Sequence, residues 1–214
     1  MPDILIVVAT ALEAERLPAL PNARVIVSGI GAVNAALATQ RAILEAAPRL
    51  ILSAGIGGAY PWGAALIGEV VVSSQLIYAG LGAEDGERLL SLEELGFPLL
   101  ETPERVYNTL IAALQAADFA QRVGAHFGAI LTLETVTGSP RSLERLRLAH
   151  PEAVCEAMEG AGVAHAAALY GIPVVEIRGI SNMVLDQRDR ASWRIGAALT
   201  ALHTALEVGW DALS

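Results

Sequence analysis

Lysine is absent from this chain: its fourteen basic residues are all arginine. That absence excludes a Schiff-base lysine and a P-loop phosphate clamp. Cysteine is nearly absent too. Cys155 stands alone, which rules out an intramolecular disulfide and fits a reducing compartment such as the cytoplasm. Aromatic residues are only 5 % of the chain, against 54 % apolar residues in all, so the core is to be built from Ala, Val, Leu and Ile. No apolar run reaches the roughly 18 residues that cross a bilayer, and we assign the apolar excess to a sheet interior and a subunit interface. The opening "MPDILIVVATALEAER" has no basic leader and meets acidic residues at once, unlike a secretory signal. A net charge of −9 with dispersed arginines is not the footprint of a nucleic-acid binder. His126, His150, His165 and His203 are far apart, and none has a second ligand at zinc-like spacing, so no metal site is expected.

What is present alternates between strand and helix. "DILIVVA" (3–9), "ARVIVSGIG" (23–31), "RLILSAGIGG" (49–58) and "IGEVVVSSQLIYAG" (67–80) read as strands. "ALEAERL" after Thr10 and "AVNAALATQRAILEAA" (32–47) read as helices, the latter with Val33, Leu37 and Leu44 at helical spacing. Residues 83–103 form an excursion, either a lid or part of an interface. There follow a helix over 104–117, a strand and turn over 123–139, and a helix over 140–150 with proline in its first turn. A strand over 153–160, a small-residue helix over 161–171, a strand over 172–182 and an amphipathic helix over 188–213 complete the chain. No linker, repeat or low-complexity tract divides it, so one domain over 1–214 is expected. The alternation implies a three-layer α/β/α sandwich around a central mixed, largely parallel sheet. Ligands of such sheets gather at the carboxyl ends of the strands.

Chemistry concentrates where strands end. "SGIGAVN" (28–34), "SAGIGGAY" (53–60) and "VTGS" (136–139) each follow a strand. Taken singly, each is a tight turn that needs positive φ. "GIGAVN" is half of a dinucleotide fingerprint without its third glycine. Together, two glycine loops at neighbouring strand ends let backbone N–H groups approach a small oxygen-rich ligand, with Gly55 and Gly57 as the points of approach. Glu156 and Glu159 lie at a strand-to-helix junction, where the helix N-terminus stabilises a carboxylate. Alone, Glu159 serves equally as a helix cap and Met158 as ordinary core. The last strand, "PVVEIRGISN", ends in Arg178, Ser181 and Asn182, polar groups that need partners if buried.

Four stretches, "ALEAE", "SGIGAVNAALA", "AGIGG" and "AMEGAGVAHAAALYGIPVVEIRGISN", together resemble the nucleoside phosphorylase/nucleosidase superfamily. The likeness is to its 5′-methylthioadenosine/S-adenosylhomocysteine nucleosidases and to the related futalosine hydrolases of menaquinone biosynthesis. The resemblance spreads over nearly the whole chain and implies cleavage of a nucleoside's N-glycosidic bond without metal or organic cofactor. It makes Glu13 the carboxylate that orients and deprotonates water, where sequence alone would leave it a surface helix residue like Glu15. It puts Arg178 near that water and the ribose, and Met158 and Glu159 against the sugar and its hydroxyls. A charged acceptor for a sugar hydroxyl contributes about 1.5–3 kcal/mol. Thr135, Val136 and Thr137 fall where the family's backbone reads the purine edge.

Asn182, beside Ser181, departs from the adenosine-type nucleosidases, which carry aspartate there as general acid to purine N7. An amide cannot deliver a proton as a carboxylic acid does, which puts a factor of roughly 10²–10⁴ in doubt. It can donate to O6 or N7 and accept from N7–H, which suits a 6-oxopurine such as the hypoxanthine of futalosine. Trp193 falls near the family's aromatic wall against the 5′ substituent, or else on the apolar face of the last helix. Arg188, Arg190 and Arg194 are candidates for pairing with a 5′ carboxylate. Phosphorolysis would need cations converging on phosphate, and neither glycine loop holds an arginine, so water is the expected nucleophile. The alternatives are an adenosine-type nucleosidase that tolerates asparagine, and a non-catalytic nucleoside-binding protein. The resemblance also implies a homo-oligomer whose neighbouring subunit finishes the 5′ pocket.

Overall fold

The computed structural model describes residues 3–86, 88–97, 105–107, 110–185 and 189–213. Strands β1 (Ile4–Val8), β2 (Ala23–Val27), β3 (Leu50–Ala59), β4 (Val70–Tyr78), β7 (Arg105–Tyr107), β8 (His126–Thr132), β9 (Ala153–Ala157) and β10 (Val174–Met183) make one eight-stranded mixed sheet. Strands β5 (Ala83–Asp85) and β6 (Arg88–Leu90) form a separate hairpin. Pairing is parallel for β1–β2, β1–β3, β3–β10, β4–β8 and β8–β9. It is antiparallel for β10–β4, β3–β9 and β4–β7. Because β3 pairs β10 along its length and β9 only at Gly58 and Ala59, the circuit β3–β10–β4–β8–β9 closes on itself at the carboxyl ends.

Helices α1 (Ala11–Arg16), α3 (Leu110–Val123) and α6 (Ile195–Gly209) cover one face, and α2 (Ala32–Glu45) and α5 (Gly160–Leu169) the other. The strand period decides the layering. In β1, Ile4, Ile6 and Val8 enter the core with Phe119 and Leu206, while Leu5 and Val7 enter the core with Ala35 and Val163. Helix α4 (Pro140–Ala149) lies beside the hairpin, capped by Ser139, whose hydroxyl accepts the Ser142 N–H, with proline at its first turn. Arg145 of α4 pairs with Glu84 of the hairpin, and Arg141 donates to the Gly86 carbonyl. The start of the 83–103 excursion is therefore pinned to α4; residues 98–103 lie outside the described residues.

Two local expectations differ from the structure, and the facing of α2 adds a third observation. The helix expected over 104–117 is preceded by β7, whose residues 105–107 pair with Gln75–Ile77 of β4. Val106 and Tyr107 favour strand, and an open edge offered their backbone a ladder. The last helix is broken: a 3-10 turn over Arg190–Ser192, capped by the Asp189 carboxylate on the Ala191 N–H, precedes α6. The apolar stripe of α2 faces outward. Val33, Leu37 and Leu44 are 62–70 % exposed, whereas Ala35, Ala42 and Ile43 are buried.

α2 and α5 approach closely because Gly162 has no side chain; a Cβ there would overlap the Ala32 carbonyl oxygen. Gly→Ala in an exposed helix interior stabilises by roughly 1 kcal/mol. Gly162→Ala should reverse that sign and destabilise by about 1–3 kcal/mol through overpacking, measured as a lower urea midpoint at unchanged m-value.

Candidate active site

A cavity of ≈ 270 Å³ opens where β1, β3, β8, β9 and β10 end. Glu13 comes from the first turn of α1, held there by a capping box: the Thr10 hydroxyl accepts the Glu13 N–H, and Glu13 Oε2 accepts from the Thr10 N–H at 2.9 Å. Oε2 also accepts from the Thr10 hydroxyl, and Oε1 from the Ile56 N–H at 3.1 Å. Both oxygens are thus fixed by donors from two elements. This is no solvated helix glutamate; it is 6 % exposed.

Glu159 is the N-cap residue of α5, yet its side chain makes no capping bond. Its Oε1 accepts the Gly31 N–H at 3.1 Å, and its Oε2 pairs with Arg178 Nη1 at 3.3 Å. Gly31 sits at φ 97° just before α2, a left-handed conformation that glycine adopts without strain. The "SGIGAVN" loop therefore does act as a turn, one that aims a backbone donor at Glu159.

Arg178 is 1 % exposed and stands behind Glu13 and Glu159, off the cavity wall. Its Nε donates to Glu176 Oε1 at 2.8 Å and its Nη2 to the Ser53 hydroxyl at 3.1 Å. Burial pulls its pKa down, but the carboxylates of Glu176, Glu159 and Glu13 raise it further, so the guanidinium is firmly charged. Glu176, fully buried, has its pKa raised by burial against the pull of Arg178. Its Oε2 has no hydrogen-bond partner and occupies the space that a side chain at Gly160 would fill. Cys155 is also fully buried, with burial pushing its thiol pKa well up, so it is no ready nucleophile.

The cavity brings Glu13, Gly57, Val136, Thr137, Met158, Glu159, Ser181, Asn182 and Trp193 together. It does not bring in all the expected residues. Gly55 lies behind the wall, where a Cβ would come within 2.6 Å of both Arg178 Nη1 and Glu13 Oε1. Its lack of a side chain admits those two groups rather than a ligand. Thr135 lines a neighbouring cavity with Glu134 and Arg145. The Thr137 N–H, expected at a purine edge, instead donates to Glu156 Oε1 at 2.9 Å. Trp193 precedes α6 rather than riding on its apolar face. Arg190 and Arg194 are exposed and do not line the cavity; Arg188 lies outside the described residues.

Asn182 donates from Nδ2 to the Met183 carbonyl at 3.2 Å, and its Oδ1 accepts from the Ser181 hydroxyl at 2.8 Å. That hydroxyl also lies 3.1 Å from the Gly57 carbonyl, so its single proton is shared between two acceptors. Sequence reasoning left Glu156 and Glu176 without a role. The signal for Glu176 was a charge inside an apolar strand, spaced by two from Arg178 and hence on its face. Among the described residues, no cationic side chain lines the cavity, whereas Glu13, Glu156, Glu159 and Asp189 do. Among the described residues, no group of three or more His, Cys, Asp or Glu could hold a metal ion, and no helix is long and apolar enough to cross a membrane.

The chain is similar to known proteins over most of its length. The futalosine hydrolase of Streptomyces coelicolor is 41 % identical over 184 residues, 84 % of this chain and 74 % of the relative. That of Acidothermus cellulolyticus is 37 % identical over 196 residues, 88 % and 77 % of the two chains. A crystal structure of the 5′-methylthioadenosine/S-adenosylhomocysteine nucleosidase of Colwellia psychrerythraea, in complex with adenine, superposes with a TM-score of 0.82 at 21 % identity, covering 98 % of this chain and 95 % of that one. The model of the phosphorylase superfamily matches residues 4–206: the chain belongs to that superfamily.

Proposed function

We propose that this protein hydrolyses the N-glycosidic bond of futalosine, releasing hypoxanthine and dehypoxanthine futalosine, as a step of menaquinone biosynthesis in the cytoplasm. The observation that carries the proposal is that Glu13, Glu159 and Asn182, far apart in sequence, line one cavity. Bond cleavage builds positive charge on the ribose and negative charge on the departing base. Glu13, both oxygens clamped, orients a water beneath the sugar and accepts its proton. Glu159 accepts hydrogen bonds from the ribose hydroxyls, Met158 packs against the ring, and the ion pair to Arg178 keeps Glu159 in place. Such groups act through preorganisation, aimed before the charge develops. Asn182 donates from its amide to O6 or N7 of a 6-oxopurine. Trp193, at the same wall, is positioned to meet the 5′ substituent.

An adenosine-type nucleosidase is the nearest rival. The amide at Asn182 and the 37–41 % identity to futalosine hydrolases favour the 6-oxo base. Incubation with futalosine and with methylthioadenosine in parallel should release hypoxanthine and little adenine; adenine release alone would overturn the proposal. A non-catalytic binding protein would show neither. Glu13→Gln should lower futalosine turnover by about 10²–10⁴ in a protein that still folds, at a cost of about 1–3 kcal/mol in unfolding free energy because its amide NH₂ opposes the Thr10 or the Ile56 N–H.

We further infer a homo-oligomer. Val33, Leu37 and Leu44 form an outward apolar stripe on α2, and Ile30 and Leu12, which line the cavity, are exposed as well. A second copy on this face would bury the stripe and close the mouth of the site. Sedimentation at micromolar concentration should give at least twice the chain mass, and Leu37→Glu should reduce it to that of one chain.

A further inference from the structure

The carboxylate of Glu156 has no part in the chemistry above, yet it is 3 % exposed and lines the same cavity. Among the groups that hold it are the Tyr60 hydroxyl at 2.8 Å, the Thr137 N–H at 2.9 Å and the Thr137 hydroxyl at 2.6 Å, all donating. Burial and the charge of Glu156 raise the Tyr60 pKa well above that of a free phenol, so Tyr60 remains a donor. A carboxylate fixed in this way points an acceptor in one direction and cannot swing to another.

The sheet register relates it to Asn182. Gly58 of β3 stands opposite Glu156 of β9 and, on its other side, opposite Asn182 of β10. Directly opposed residues share a face. With strands about 4.8 Å apart, Glu156 and Asn182 flank Gly58 at backbone positions roughly 10 Å from each other. Gly58 itself contributes no side chain, and the space that a Cβ would take is used by Asn182 Nδ2 and Val184, which a Cβ there would meet at 3.0 Å and 2.9 Å. The cavity wall thus carries an amide on one side of Gly58 and a carboxylate on the other.

We propose that Glu156 is a specificity-determining residue that accepts the N1–H of the leaving base, so that Glu156 and Asn182, across Gly58, together select a 6-oxopurine. The proposal rests on the nucleoside-hydrolase function proposed above. A 6-oxopurine in its lactam form presents a donor at N1 and acceptors at O6 and N7. An ionised carboxylate only accepts and an amide NH₂ only donates, so the two match that pattern from either side of O6. A 6-aminopurine presents a lone pair at N1 and a donor at C6. Against Glu156 it would set acceptor on acceptor in a buried site, and mispairing of this kind is what lets a polar pocket reject an analogue strongly. Asn182 alone is ambiguous, since an amide can be turned to suit either base. The carboxylate removes the ambiguity.

The test compares wild type with Glu156→Gln, whose amide is nearly isosteric and can donate. Binding of hypoxanthine and adenine is measured by calorimetry, and kcat/KM is measured for futalosine and its 6-amino counterpart. Wild type should prefer the 6-oxo member of each pair by about 10² or more, and Glu156→Gln should lower both preferences at least tenfold. A purely structural Glu156 would weaken both members of a pair in proportion; preferences unchanged in the variant would overturn the proposal. Should Glu156→Gln fail to fold, Tyr60→Phe, which frees one side of the carboxylate, must reduce the hypoxanthine preference by several-fold, and no reduction would equally overturn it. Absence of futalosine hydrolysis by wild type would instead defeat the proposed function, while the hypoxanthine and adenine affinities would still decide the role of Glu156.

Discussion

The site depends on one buried guanidinium. Arg178 sits in the middle of the closed end of the sheet with Glu176 on its own strand, Glu159 on the β9–α5 junction and Glu13 nearby on α1. Removing one partner of a buried ion pair costs about 3–5 kcal/mol, while replacing the whole pair with apolar groups is often neutral. Such a cluster is therefore poor evidence for stability and better evidence for geometry. Here it ties together three segments that the chain brings in from positions 13, 159 and 176. Were Arg178 neutral, three carboxylates would face one another out of water. Held charged, it lets Glu159 turn away from capping its own helix and toward the cavity.

That arrangement is possible only because β3 is stripped of side chains at its carboxyl end, on both faces. Gly55 makes room for Arg178 and Glu13 on one face, and Gly58 for Asn182 on the other. All of "AGIGG" lies inside β3, and none of these glycines has positive φ. Their role is absence of volume, not freedom of backbone. Glu13 and Asn182 thus pack against two faces of the same strand, which is why the carboxylate proposed to orient water and the amide proposed to read the base end up at one cavity.

The sequence told these two glycine clusters apart poorly, for a physical reason. Gly29 and Gly31 of "SGIGAVN" do adopt φ 87° and 97°, so the turn reading is right for them. The same composition in "AGIGG" answers to contacts with Glu13, Arg178 and Asn182, which lie between 42 and 124 residues away and leave no local mark. The strand and helix order was legible because β1 is a continuous apolar run, β3 and β10 open on apolar residues, and the helices carry a 3.6 period. Period alone does not say which face is inward, and in α2 the larger apolar residues point out while Ala35, Ala42 and Ile43 point in. Glu13, Glu159 and Asn182 were reached by family resemblance. Glu156 was passed over as a strand-end charge, since its partners Tyr60 and Thr137 are 96 and 19 residues distant.

Membership in a superfamily named for phosphorolysis does not by itself choose the nucleophile; the charge of the cavity does. Its wall carries Glu13, Glu156, Glu159 and Asp189 and, among the described residues, no cation. A phosphate dianion entering there would meet these four carboxylates beside the neutral polar groups of Thr10, Thr137, Ser181, Asn182 and Ser192, and Arg178 behind them is already engaged by Glu159 and Glu176. At about 4 Å, like unit charges repel by roughly 4 kcal/mol at the effective dielectric of a protein surface, so one such contact opposes phosphate binding by almost a thousandfold. Water carries no such penalty. The same carboxylates favour the positive ribose of the transition state over the neutral substrate, and a site gains rate only from interactions stronger in the former than in the latter. An acidic wall that repels one nucleophile and stabilises the cation formed by the other supports the proposed hydrolysis over phosphorolysis.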